Sequence, residues 1–151
     1  MRHILPSLYM GALVRLVPHH IVLDFGSGAG IPGIPLKILF QNSFLTMVES
    51  RRKRANFLRD TVRRLGFTGV EVKNHRIEEL YVSMAGTVDV VVTRAASDLE
   101  RLWSTVGPVL KDHGVVITTL DLQRGFHRGI GVLMRQQYQA HGQTHWFAMV
   151  R

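Results

Sequence analysis

The sequence predicts an α/β fold, a doubly wound, mostly parallel sheet with an antiparallel C-terminal strand, and three observations predict it. Five short aliphatic segments recur along the chain: Ile21–Phe25, Phe44–Val48, Val70–Lys73, Val88–Val92 and Val115–Thr119. Helical patterns separate them, and the chain ends in two further strand-like segments with only a turn between. Aliphatic runs without polar alternation mark strands covered on both faces, as in parallel sheets whose right-handed crossovers carry helices.

Each element has its own signature. Leu5, Leu8, Tyr9, Ala12, Leu13 and Leu16 recur at helical spacing before Pro18, giving an amphipathic opening helix with Pro6 in its first turn. The first strand runs straight into Gly26, Ser27, Gly28, Ala29 and Gly30, and a helix follows from about Pro32 to Phe40. After the second strand and Glu49, the stripe Ala55, Leu58, Val62 and Leu65 predicts a buried helix face closed by Gly66. A helical turn over Ile77–Tyr81 and a helix over Leu99–Leu110 flank the fourth strand. Val132–Gln139 and His145–Val150, joined through Ala140–Thr144, form the terminal hairpin. Trp103 and Trp146 read as core.

With 151 residues the chain makes one domain, 1–151, in which 1–18 is the N-terminal helix. Nineteen Lys and Arg against eleven Asp and Glu leave a net charge of +8, which favours a polyanionic partner. Cysteine is absent, excluding disulfide scaffolds, thiolate zinc sites and cysteine nucleophiles. No apolar run reaches the ~18 residues of a membrane span. Residues 1–18 carry Pro6 and Arg15 and lack a small-residue cleavage site, so a cytoplasmic protein without a membrane partner is expected. His141 and His145 have the i, i+4 spacing of zinc ligands, but HGQTH has no HExxH glutamate and falls at a turn, so no metal is expected.

The stretch DFGSGAGIPG, Asp24 to Gly33, lies at the carboxyl end of the first strand, where open α/β sheets bind ligands. It reads in two registers. Gly28, Gly30 and Gly33 match the dinucleotide fingerprint, whereas Asp24, Gly26, Gly28 and Gly30 match DxGxGxG of S-adenosylmethionine enzymes. The dinucleotide register starts late for a strand ending at Phe25 and sets Pro32 beside its third glycine. Glu49, ending the second strand, suits the two hydroxyls of an adenosine ribose in either case. Thr93 and Arg94 follow the fourth strand where the methionine end of S-adenosylmethionine would lie, and a sheet ending in an antiparallel hairpin is the arrangement of class I, Rossmann-like methyltransferases.

VLDFGSGAGIPGIPLKI, VESRRKRANFLRD, HRIEEL and TRAAS together resemble the bacterial 16S ribosomal RNA guanine-N7 methyltransferases, the RsmG or GidB family, from His3 to the final hairpin. The PGIPL extension and the ESRRKR block are more specific than the glycine loop alone. The resemblance implies a SAM-dependent enzyme acting on 16S ribosomal RNA or the small ribosomal subunit as a monomer. Gly26 and Ile31 would line the SAM site, Asp24, Gly28 and Gly30 of the same loop would also bind the cofactor, and Glu49 would hold the ribose. Ile77 and Glu78 would flank the adenine, and Arg94 would be catalytic, beside the methionine end or the target base. The chain would begin inside the family's helical N-terminal region, with Pro6 where the family's HxxDSL has Asp. Thr119, Leu120 and Asp121 stand where a Lys-Gly pair is common.

Guanine N7 carries an in-plane lone pair and no proton at neutral pH, so its methylation requires orientation rather than a general base. The missing cysteine excludes cytosine-C5 chemistry, and TRAAS stands where amino methylation needs Asn/Asp-Pro-Pro-aromatic. Arg51, Arg52, Lys53, Arg54, Arg59, Arg63 and Arg64 outweigh Asp60 in one helix, giving either a phosphate-binding face or a solvated one. Two rivals stay open: a small-molecule methyltransferase of the same fold, and a SAM-binding homologue without catalysis, which Pro6 and the missing Lys-Gly pair favour.

Overall fold

In the computed structural model, residues 4–14, 19–96, 98–120, 132–140 and 143–150 are described. The chain runs α1 (Ile4–Val14), β1 (Ile21–Phe25), α2 (Gly33–Leu39), β2 (Phe44–Val48), α3 (Arg52–Leu65) and β3 (Val70–Lys73). A 3-10 turn (Ile77–Leu80) leads into α4 (Tyr81–Met84), followed by β4 (Val88–Ala96), α5 (Leu99–Val106) and a second 3-10 turn (Gly107–Val109). The chain then continues through β5 (Leu110–Leu120), β6 (Val132–Ala140) and β7 (Gln143–Val150). The strand order in the single sheet is β3-β2-β1-β4-β5-β7-β6. Strands β1 to β5 pair in parallel, while β7 runs antiparallel to both β5 and β6.

Successive residues of the central strands point to opposite faces, and both faces are covered. Val22, Val90, Val92 and Ile117 pack with Met10 of α1, Leu36 of α2 and Leu58 of α3. Leu23, Val91 and Val116 pack with Ile77, Leu80 and Met84 and with Leu99, Leu102 and Val106 of α5. Two apolar faces on each strand thus explain the unalternating aliphatic runs. Trp103 is half-buried against the second cluster. The side chains of His141, His145 and Trp146 lie outside the described residues.

Two strands run longer than the sequence reading, β4 through Thr93 and Arg94 to Ala96 and β5 from Leu110 rather than Val115, and three helices also depart from it. In α1 the buried residues are Pro6, Ser7, Met10 and Gly11, while of the expected stripe Leu8 and Leu13 are half-buried and Tyr9 and Ala12 are exposed. Gly11 sets this rotation: a Cβ there would collide with the Phe40 ring and lie 2.8 Å from Leu36 Cδ2, so the helix meets α2 at its glycine. The α3 stripe ends early, with Ala55 and Leu58 buried and Leu65 49% exposed. Gly66, at φ 65°, closes that helix as expected. Finally, α5 stops at Val106 rather than Leu110, because Pro108 has no N–H with which to continue the helix, and Leu110 instead pairs with Val88.

The α1–α2 contact makes a prediction. Gly11→Val should lower the thermal unfolding midpoint by the equivalent of about 1–3 kcal/mol through overpacking, whereas Ala12→Val, on the exposed face, should leave it within about 0.5 kcal/mol. Equal midpoints for both variants would refute the packing.

Candidate functional site

At the carboxyl edge the strands end and backbone donors must find other partners. The N–H groups of Gly26 and Ser27 both donate to Val48 O, at 3.0 and 3.1 Å, folding the loop after β1 across the end of β2. The Ser27 hydroxyl donates back to Asp24 O at 2.8 Å. Gly26, Gly28 and Gly30 have φ of 73°, 55° and 86°, a region costly for other residues. At Gly30 a Cβ would also collide with Ile34, whereas none of the protein lies within 4 Å of one at Gly26.

Asp24 is fully buried beneath this loop. Its Oδ2 accepts from the Gly33 N–H at 3.1 Å, and Oδ1 has no hydrogen-bond partner among the described residues. Burial pushes its carboxyl up to about 7, with the nearby Ser27 hydroxyl, the Gly33 N–H and the Arg94 guanidinium pulling against it. Gly33 has to be glycine here, since a Cβ would lie 2.6 Å from Asp24 Oδ2.

Glu49 is 5% exposed. Its Oε2 accepts from the Gly28 N–H at 3.0 Å and its Oε1 from the Arg51 N–H at 2.8 Å, so it joins the glycine loop to the start of α3. Each oxygen retains a second lone pair for a ligand. A cleft of about 250 Å³ opens beside it, lined by Phe25, Gly26, Val48, Glu49, Ser50, His75, Arg76, Ile77 and Glu78. Glu79 accepts from the Arg76 N–H at 3.3 Å and lies 2.8 Å from His75 Nδ1, and that hydrogen bond holds its carboxyl below the ordinary range.

Of the residues singled out from the sequence, Gly26, Glu49, Ile77 and Glu78 meet around this cleft. Asp24 and Gly30 lie buried inside the loop, Gly28 and Ile31 are half-buried on it, and none of the four lines the cleft. Arg94 is half-buried near the end of β4, off the cleft lining and within electrostatic range of Asp24. Phe25, Val48, Ser50, His75 and Arg76 were missed. His75 and Arg76 stand in the HRIEEL motif, so only the choice within it fell short; the others needed the cleft's shape. The donor set fits S-adenosylmethionine: a carboxylate with spare lone pairs for ribose hydroxyls, apolar Phe25, Val48 and Ile77 for an adenine, and open backbone at Gly26.

The cations Arg51, Arg52, Lys53, Arg54, Arg59 and Arg63 are all exposed. Arg59 donates to Asn56 Oδ1 at 3.0 Å and to Val72 O at 3.2 Å, and Arg63 pairs with Asp60 at 2.9 Å. Arg52, Lys53 and Arg54 fill the first turn of α3, which contains no acid. Cations there oppose the helix dipole. No cluster of three or more His, Asp and Glu among the described residues could hold a metal, and no described helix is long and apolar enough to cross a membrane.

The sequence matches the GidB family, rRNA small subunit methyltransferase G, over residues 1–121. It is 38% identical over 113 residues to ribosomal RNA small subunit methyltransferase G of Mycolicibacterium smegmatis, covering 75% of this chain and 47% of that protein. The protein of that name in Xylella fastidiosa is 39% identical over 116 residues, covering 77% and 52%. The chain thus spans about half the length of the curated relatives it matches. Similar solved structures include TrmN from Thermus thermophilus, at TM-score 0.73, 16% identity and 95% and 47% coverage of the two chains. M. jannaschii TYW2 in complex with AdoMet has TM-score 0.73, 15% identity and 98% and 73% coverage. These likenesses establish the class I methyltransferase fold.

Asp24 generates a pH prediction. Its folded pKa lies above the ordinary 3.8, so the folded state holds a proton that the unfolded chain releases. Its contribution is fully present below pH 3.8 and is lost as pH rises through about 7. Asp24→Asn keeps an acceptor for Gly33 and should flatten the decline of stability across that window, measured by denaturant unfolding. The same pH slope in variant and parent would refute the buried proton.

Proposed function

The chain belongs to the GidB family of rRNA small subunit methyltransferases, and on that premise we propose that it binds S-adenosylmethionine in the Glu49 cleft and methylates guanine N7 in 16S ribosomal RNA. The acting unit is taken as a cytoplasmic monomer, and the substrate as the RNA or the small ribosomal subunit. The observation that carries this reading is the cleft itself, which Gly26 after β1, Glu49 after β2, and Ile77 and Glu78 after β3 line together.

Bound there, S-adenosylmethionine supplies an electrophilic methyl group. Glu49 would accept hydrogen bonds from the ribose hydroxyls while the N–H groups of Gly28 and Arg51 keep its carboxylate oriented. Phe25, Val48 and Ile77 shield the adenine from water. Arg94, in β4 and within electrostatic range of Asp24, would serve the methionine end or the target base. The target nitrogen uses its own lone pair, so no side chain removes a proton, and catalysis rests on alignment.

Calorimetry with S-adenosylhomocysteine tests the ligand: Glu49→Gln should weaken binding by about 1–3 kcal/mol, as a ribose donor meets an amide. Unchanged affinity in a folded variant would overturn the assignment. Digestion of methylated 16S RNA should yield N7-methylguanosine, with a single-turnover rate nearly flat from about pH 6.5 to 8.5 because no protein base titrates in the step. Methylated cytosine or adenine would refute the chemistry, and binding without transfer to RNA or subunits would favour the non-catalytic homologue.

RNA affinity is assigned to Arg51, Arg52, Lys53, Arg54, Arg59 and Arg63, and the acid-free first turn of α3 is its simplest test. Arg52→Ala with Lys53→Ala should weaken binding to unrelated RNAs and shallow the log K against log salt slope by ~0.7 to 0.9 per contact. The unfolding midpoint should hold or rise, because cations are removed from the positive end of the dipole. Parallel salt slopes would return these side chains to a solvated face.

A further inference from the structure

Beside Phe25 and Gly26, two walls of the cleft leave neighbouring strands. Glu49 and Ser50 follow β2, and His75 to Glu78 follow β3. The parallel ladder between these strands pairs Val48 with Lys73, and the Glu49 N–H still donates to Lys73 O at 3.1 Å. Beyond that point the backbones separate, and one side chain takes over the ladder's role. Asn74 Nδ2 donates to Glu49 O at 2.9 Å and to Ser50 O at 3.0 Å, so both its amide hydrogens are spent on the opposite wall.

We infer that Asn74 is a positioning residue, which sets the distance between the walls and holds the Glu49 carboxylate on the ribose side of the cleft. It does so without lining the cleft. Clamping the carbonyls of two successive residues restricts rotation about the Glu49–Ser50 segment. The same segment continues into Arg51, whose N–H holds Glu49 Oε1, so the carboxylate is gripped through its main chain and through its oxygens. An asparagine fits this position for a physical reason: its amide offers two donors from one atom at short reach. Aspartate has none and would face two carbonyls, and serine has one.

The inference rests on the proposed function in one respect, the identity of the ligand, and calorimetric titration with S-adenosylhomocysteine separates the two. The parent, Asn74→Ala, Asn74→Ser, Glu49→Gln and the Asn74→Ala Glu49→Gln double variant are compared. Asn74→Ala should weaken binding about 10-fold, the equivalent of one or two net hydrogen bonds, with Asn74→Ser between it and the parent. In the Glu49→Gln background the same substitution should cost less than about 3-fold, since Asn74 acts through that carboxylate. In methylation assays the loss should appear in KM for S-adenosylmethionine, with kcat within about twofold.

A parent that does not bind S-adenosylhomocysteine overturns the ligand assignment and the inference with it. A binding parent with unchanged affinity in both Asn74 variants overturns the inference alone. Equal losses in the two Glu49 backgrounds also overturn it, because a general structural role would weaken binding regardless of Glu49. Should Asn74→Ala fail to fold, Asn74→Ser, which keeps one donor, carries the same comparison in both backgrounds.

Discussion

The constraint on which this protein depends lies at the carboxyl edge of its parallel sheet. Strands buried on both faces end in backbone groups that water does not reach, and each needs a partner from the segment that follows. Val48 O takes two loop N–H groups, Asp24 takes Gly33, Glu49 takes Gly28 and Arg51, and the Thr93 hydroxyl donates to Phe25 O at 2.9 Å. Satisfying these groups ties the segments after β1 and β2 together, and the cleft lies between them and the segment after β3. The candidate site is therefore a consequence of how the strands terminate.

Two features of the rim work against stability. Asp24 is buried with one oxygen unpartnered among the described residues, and the first turn of α3 carries cations against its dipole. Departures of this kind from local consistency concentrate at functional sites. The cost of burying Asp24 is reduced below about pH 7, where the carboxyl keeps its proton. The basic turn faces solvent, next in sequence to Ser50 of the cleft.

Much of the site was legible because its residues are rare types at marked places: glycines after an aliphatic strand, an acid ending the next, cations gathered on one helix. The roles within it were less so. Asp24 and Glu49 are both acids at strand ends, separated in fate by burial and by which N–H groups reach them, and these contacts bridge 9 and 21 residues of sequence. Asn74 carries no local signal at all, since its partners stand 24 and 25 positions earlier.

By itself the sequence determined the alternation of strands and helices, the parallel sheet with its terminal hairpin, the position of the glycine loop and the basic helix. Those follow from periodicity, backbone preference and charge, which are properties of neighbouring residues. Only the tertiary structure decided which face of α1 is buried, where α5 stops in favour of β5 pairing, and which side chains wall the cleft. Each of those depends on contacts between distant segments: Gly11 against Phe40, Leu110 beside Val88, Asn74 across to Glu49. Such contacts form only when packing brings the segments together, so they leave no period in the sequence to read.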